Sequence, residues 1–219
     1  NGLKRMVQDQ ENVFYYITLL NENYAMPGLQ AGTEEQIIKG MYLLSEPQPS
    51  AQGLQVNLLG CGSILRESIA AQKLLQEDWG VSANVWSCPS FNELAREGQD
   101  CERWNLLHPT ATPRVSFVAQ QLGKYVGAVV ASTDYMKAYA EQIRPFLPNG
   151  RRYKVLGTDG FGRSDFRYRL REHFEINRHY IAVAALKALQ EDGRLEAQTV
   201  AQAIAKYGIE ADKMNPLYA

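Results

Sequence analysis

The chain has 219 residues, 45% hydrophobic and 21% charged, with 23 Lys+Arg against 24 Asp+Glu for a net charge of -1. A chain of that size makes one large domain, or one domain with the end of another, and buries about 70% of its extended surface without disulfide or metal staples. These figures exclude a disordered tail and give no pull toward nucleic acid or a membrane surface. The longest purely apolar run, Tyr180 to Leu186, is seven residues, far short of the roughly 20 a spanning helix needs.

Val13 to Leu20 is rich in β-branched and aromatic residues and reads as a buried strand, ended by the polar stretch Asn21-Glu22-Asn23 and the turn Met26-Pro27-Gly28. Thr33-Glu34-Glu35-Gln36 reads as a helix start, with Thr33 as cap and Gln36 closing a capping box. A proline-marked loop, Glu46 to Gly53, follows. From there strands and helices alternate: strand Leu54 to Leu59, then helix Ser63 to Trp79. On that helix Ile64, Ile69 and Leu75 share the apolar arc, with Arg66, Lys73 and Glu77 opposite. Next come strand Val81 to Trp86, helix Phe91 to Trp104, helix Val115 to Leu122, strand Tyr125 to Ala131, helix Asp134 to Phe146 and strand Tyr153 to Leu156. Three helices close the chain, Asp165 to Phe174, Asn177 to Gln190 and Glu196 to Tyr207. The last carries Val200, Ile204 and Tyr207 as a core-facing stripe. Such alternation predicts an α/β fold of three layers, a mostly parallel sheet with helices on both faces.

The three cysteines, Cys61, Cys88 and Cys101, have no C-x-x-C spacing, which fits a reducing compartment and predicts a cytoplasmic protein. His108, His173 and His179 form no zinc pattern. The chain begins Asn1-Gly2-Leu3, with neither an initiator Met nor a signal-like segment, and is expected to be a piece of a longer one.

Three places could carry chemistry. Gly60-Cys61-Gly62-Ser63 joins a strand to a helix, where backbone N–H groups can hold an anion, making Gly60, Gly62 and Ser63 a candidate anion site. The third glycine of a dinucleotide fingerprint would fall at Leu65, so a plain tight turn explains the pattern as well. Gly157 to Asp165 follows a strand and interleaves three glycines with Asp159, Arg163, Ser164 and Asp165. It is a candidate interface or approach loop, with helix capping by Ser164 or Asp165 as the plainer reading. Cys101 with His108 downstream could make a thiol hydrolase on paper, but a helix packing Trp104 into the core accounts for the same residues. Arg167, Arg169, Arg171 and Arg178 form a basic cluster interrupted by Asp165, Glu172 and Glu175, a solvated or interface face rather than a nucleic-acid stripe. No self-sufficient catalytic constellation is visible.

Several stretches resemble one family. Phe14-Tyr15-Tyr16-Ile17-Thr18 with Asn21 to Pro27, Glu93 to Asn105, Ala131 to Lys137, Leu156 to Asp165 and Asp212 to Pro216 are similar to the homodimeric bacterial pyruvate dehydrogenase components. The resemblance covers essentially the whole chain and implies a transketolase-like subunit, of which this is the C-terminal part. Residues 1-27 would then end the middle, pyrimidine-binding domain, and residues 28-219 would form the C-terminal α/β domain. The implied cofactors are thiamine diphosphate and Mg²⁺, and the implied partners are a second copy in a homodimer, the other domains of the same subunit and the lipoyl-bearing dihydrolipoyl acetyltransferase. In that family a Gly-Asp-Gly motif and a glutamate hold and activate the cofactor. This chain has no Gly-Asp-Gly; Thr158-Asp159-Gly160 and Asp192-Gly193 lack the leading glycine, and Glu22 does not correspond to the activating glutamate. The resemblance therefore carries over no catalytic, metal or cofactor residue. The competing reading is a free-standing flavodoxin-like module binding a nucleotide or anion.

Overall fold

The computed structural model describes residues 1–20 and 22–219. Its five strands are β1 (Tyr42–Ser45), β2 (Gln55–Gly60), β3 (Ser82–Ser87), β4 (Ala128–Ser132) and β5 (Tyr153–Leu156), in the order β1-β3-β2-β4-β5. β2, β3, β4 and β5 are parallel, and β1 closes one edge antiparallel to β3, with an irregularity between Leu43 and Ser45. Eight α-helices accompany them among the described residues: α1 (Glu34–Lys39), α2 (Leu65–Trp79), α3 (Phe91–Leu107), α4 (Phe117–Leu122), α5 (Lys137–Glu141), α6 (Arg167–His173), α7 (Arg178–Glu191) and α8 (Ala197–Lys206).

The side-chain period of two along each strand builds two cores. Val56 and Leu58 of β2 with Val130 of β4 meet α2, α7 and α8 through Leu75, Ile181, Leu186 and Ala203. Leu59, Trp86, Val129 and Ala131 face the other way, against α3, α4 and the segment around Ile143 and Phe146. This is the expected three-layer α/β sandwich. On the second face the buried Asn57 amide is paired at both ends: it donates to the Val126 carbonyl (2.9 Å) and its oxygen accepts from Asn84 Nδ2 (3.0 Å) and the Trp86 indole (3.2 Å). A polar group this deep is tolerated because both its nitrogen and its oxygen have hydrogen-bond partners.

Several expected boundaries shift for identifiable reasons. Val13 to Leu20 forms no strand; no other described segment pairs with it, and an unpaired strand is not stable in water. Its side chains stay out, with Phe14 at 88% and Leu19 at 86% exposure. The polar stop expected at Asn21 lies outside the described residues. Thr33 precedes α1 but caps nothing, its hydroxyl donating instead to the Gln30 carbonyl (2.6 Å), so the capping box is absent. The helix expected over Asp134 to Phe146 is broken into α5 and a 3₁₀ turn at Arg144–Phe146, where Pro145 has no N–H to continue an α-helix. α4 starts at Phe117 because the Ser116 hydroxyl accepts the Ala119 N–H (3.2 Å) and the Glu97 carboxylate accepts the Phe117 N–H (2.8 Å). Ile64, just before α2, and Leu75 on it are buried and Ile69 half-buried, while Arg66, Lys73 and Glu77 point to solvent as the pattern requires.

Candidate functional site

In an open parallel sheet the place to look is the crevice at the carboxyl ends of the strands, where the chain order reverses. Here that point lies between the ends of β2 and β4, and the Gly60–Ser63 turn forms one of its walls. The Ser63 hydroxyl donates to Asp134 Oδ2 (2.9 Å), and a Cβ on Gly62 would stand 3.2 Å from Asp134 Oδ1. Gly60 is pressed against α2, where a Cβ would lie 2.8 Å from the Leu65 backbone and from the Ser68 hydroxyl. The Ser63 hydroxyl of this turn is thus engaged by one of the chain's own carboxylates.

The Gly157 to Asp165 loop lies beside it. Its first half is tied down: Thr158 N–H donates to the Tyr135 carbonyl (2.9 Å), the Thr158 hydroxyl to the Asp134 carbonyl (2.8 Å), and Asp159 accepts the Lys137 N–H (3.0 Å) and pairs with the Lys137 ammonium (3.5 Å). Gly160, at φ +99°, leaves only enough room for the Pro216 carbonyl, 2.4 Å from where a Cβ would be. The second half is open. Arg163, Ser164 and Asp165 are exposed, and Asp165 accepts the N–H of the neighbouring Phe166 (2.7 Å) rather than capping α6, which has no side-chain cap. Of the four expected loop residues, the structure fixes Asp159 in place and leaves the other three facing solvent.

Around this loop the surface is unusually apolar. Phe161 is 80% exposed, Phe166 74% and Tyr218 77%, and Tyr168, Met214 and Leu217 join them. Loop and tail meet at Gly160 and Leu217, the Phe166 and Tyr168 rings stack at 6.1 Å, and the Tyr135 hydroxyl bonds Thr18 (3.0 Å), bringing in the N-terminal segment. Exposed apolar side chains gathered on a loop and a tail in this way are a common feature of protein contacts.

Glu67 carries no sequence signal that marks it as a site residue. It sits on α2 with its side chain 5% exposed and accepts the Arg178 N–H (3.0 Å), Arg178 Nε (2.9 Å), Arg178 Nη2 (3.1 Å) and Arg171 Nη1 (3.3 Å). Arg171 also reaches the Tyr24 hydroxyl (3.4 Å), and the Arg66 guanidinium lies 4.4 Å from the Tyr24 ring, so the N-terminal segment is clasped to the same network. Two members of the expected basic cluster thus serve a buried carboxylate. Two more are paired on the surface, Arg167 with Glu22 (2.8 Å) and Arg169 with Glu172 (3.3 Å). His173 and His179 lie on separate helices, α6 and α7, and burial lowers the pKa of both.

The thiol readings fail on geometry. Cys101 donates to Glu97 (3.3 Å), and burial with that carboxylate pushes its pKa up to about 11. His108 stacks on Trp104 (4.5 Å) and is held at the Trp104 carbonyl (2.8 Å), away from this partnership. Native protein at pH 8 should therefore react with a chromogenic disulfide more slowly than free cysteine, whose pKa is about 8.5; a fast phase of one thiol per chain would contradict this arrangement.

No group of three or more His, Cys, Asp or Glu among the described residues is placed to hold a metal ion. The donors at the carboxyl edge do not fit Mg²⁺, which keeps near-octahedral oxygen ligation: Asp134 and Asp159 are taken by Ser63 and Lys137. Among the described residues no helix is long and apolar enough to cross a membrane.

A family model described as the transketolase-like TK C-terminal domain matches residues 40–177. The chain belongs to that family. A second model, the pyruvate dehydrogenase E1 component middle domain, matches residues 1–27 of this transketolase-like chain. Relatives named pyruvate dehydrogenase E1 component are 55% identical in Cupriavidus necator and 56% in Pseudomonas aeruginosa over 99% of the chain, and 54% in Escherichia coli K12 over 100% of it. The chain spans 24% of the length of each. Among solved structures, a split gene transketolase in an inactive beta4 tetramer aligns over 69% of this chain and 43% of its own, at 17% identity and a TM-score of 0.46. The resemblance carried by Phe14 to Thr18, Glu93 to Asn105 and the other stretches is the one these relatives share, and the free-standing flavodoxin-like module is not favoured.

Proposed function

We propose that this transketolase-like domain is the C-terminal domain of the pyruvate-decarboxylating subunit of a pyruvate dehydrogenase complex, building subunit contacts and shaping the approach to a cofactor held elsewhere. Residues 1-27 end the middle domain and residues 28-219 form the C-terminal one. In the whole subunit thiamine diphosphate and Mg²⁺ supply the decarboxylation, and the two-carbon unit passes to the lipoyl group of the acetyltransferase. The subunit works as a homodimer in the cytoplasm. The observation that carries this reading is the apolar carboxyl-edge surface, which gathers the loop, the C-terminal tail and the N-terminal segment on one side of the domain. The Gly60–Ser63 turn serves the domain internally by holding Asp134.

Two experiments test it. In the full-length enzyme, Asp159→Ala releases Lys137 and lets the loop drift, and Arg163→Ala removes an exposed cation. We expect weakened dimerisation or a loss of pyruvate kcat/KM of about tenfold, since small misplacements near a reacting site are costly. Wild-type dimerisation and kinetics in both variants would sink the assignment of the loop. Calorimetric titration of the 219-residue chain with thiamine diphosphate and Mg²⁺ should give no heat; one-to-one binding would place cofactor ligands in this domain after all.

A further inference from the structure

At the opposite, amino edge of the sheet a cleft of about 270 Å³ opens between the starts of β2, β4 and β5. Its floor is glycine-rich, with Gly53, Gly127 and Gly150, so the backbone leaves it open. Three arginines line it, Arg151, Arg152 and Arg194, against one carboxylate, Asp192.

These charges do not cancel. Arg152 is neutralised, with Nε on Asp192 (2.6 Å) and Nη1 on Glu191 (3.1 Å). Glu191 is further shared with Lys154 (2.8 Å) and Lys187 (3.8 Å). Arg151 and Arg194 have no carboxylate within ion-pair distance among the described residues. Arg151 is half-buried and donates only to the carbonyls of Gly127 (2.9 Å), Tyr125 (2.6 Å) and Leu122 (3.4 Å). Those bonds use Nη1 once and Nη2 twice, so Nε and one Nη1 hydrogen remain undonated. Arg194, which lines the same cleft, donates only to the Gly53 carbonyl (3.2 Å). The edge therefore carries five cations against two carboxylates in a chain whose net charge is -1.

A half-buried guanidinium without a counter-ion is costly, and one bound from solution offsets that cost. A concave wall concentrates the field of the uncompensated charges. Guanidinium forks match the paired oxygens of phosphate or carboxylate. The geometry points to a binding site for a compact oxyanion of two or more negative charges, held between Arg151 and Arg194. A cleft of about 270 Å³ has room for a phosphate or a short dicarboxylate. The site is independent of the carboxyl-edge surface and of the function proposed for it.

Titration calorimetry of the chain with inorganic phosphate and, separately, with succinate, at fixed ionic strength, tests this. Saturable one-to-one binding near millimolar Kd is expected for at least one of them. Binding of phosphate alone identifies a tetrahedral oxyanion as the ligand, and binding of succinate identifies a carboxylate. Losing one charge-assisted contact should weaken binding about tenfold, so Arg194→Gln and Arg151→Gln should each do so and Lys73→Gln, exposed on α2, should not. Arg194 is exposed and its variant keeps the fold, so it decides the matter even if Arg151→Gln unfolds. No saturable binding of either anion, or binding undiminished in Arg194→Gln, overturns the proposal.

Discussion

Gly127→Ala is expected to strip the domain of much of its stability. Gly127 has φ +91°, and a Cβ there would lie 1.8 Å from the Gln55 carbonyl oxygen and 2.5 Å from its carbon. Both are backbone atoms of the strand that β4 joins, so no rotamer change relieves the collision. Alanine would have to push β4 off β2 at its first pair, Val56 with Ala128, and would disturb the carbonyl that Arg151 caps. A loss of at least about 4 kcal/mol follows, which consumes much of a typical stability of about 5–15 kcal/mol. Gly150→Ala is the matched control: its φ is +73°, but nothing lies within 4 Å of the added carbon. It should cost only about 1–2 kcal/mol of backbone strain. Urea denaturation of the two variants gives the comparison directly. Equal midpoints would mean that Gln55 and Gly127 do not approach as closely as the β2–β4 register requires.

Glu67→Ala should be the most damaging polar substitution. It leaves Arg171, whose side chain is 15% exposed, beside Arg178 with no anion between them. Removing one partner of a buried pair costs about 3–5 kcal/mol. Arg178 is 46% exposed and recovers part of its hydration, so we place the loss near the lower end, about 3 kcal/mol. Burial pushes the Glu67 carboxyl up, but the hydrogen bonds and charge of Arg178, with the charge of Arg171, outweigh it and hold the pKa below the ordinary value. A carboxyl whose folded pKa lies below its unfolded one, about 4.3, contributes its stability in full above that value and loses it as pH falls through the folded pKa. Wild type should therefore lead Glu67→Gln by a constant margin from neutral pH to about pH 5, and the margin should shrink below about pH 4. A margin that stays flat down to pH 3 would show that Glu67 is not the anion of this network.

The parallel scaffold is legible in the sequence because its strands are short apolar runs and its helices carry a clear period. β5 falls on Tyr153–Leu156 as expected, and α7 begins one residue after the helix start expected at Asn177, which the structure makes its cap, the side chain accepting the His179 and Tyr180 N–H groups. What fails depends on partners that a one-dimensional pattern cannot contain. β1 has only four half-buried residues and exists because β3 offers it an antiparallel edge. Val13 to Leu20 has strand composition but no edge to join. Glu67 lies among the polar residues of α2 and is buried because α7 begins where its carboxylate can accept the Arg178 N–H, a match across 111 positions. The site suffers similarly: glycine spacing marked Gly60–Ser63, whereas the carboxylate that Ser63 bonds, Asp134, comes from beyond β4. Arg151 and Arg194 carry no local signal, since their lack of counter-ions emerges only once the sheet has assembled.

The strand order has a consequence for synthesis on the ribosome. β2 is the central strand, but of its two neighbours only β3 follows at once; β4 emerges after α3 and α4 have been made. Until then one side of Gln55–Gly60, whose last five residues are buried in the finished domain, is a free hydrogen-bonding edge. Such edges recruit other chains, and pairings between distant segments form slowly. The nascent protein is therefore most vulnerable in the interval between β3 and β4. Slowing translation within α3 or α4 should lengthen that interval and increase aggregation or chaperone capture, whereas a pause after β4 should not.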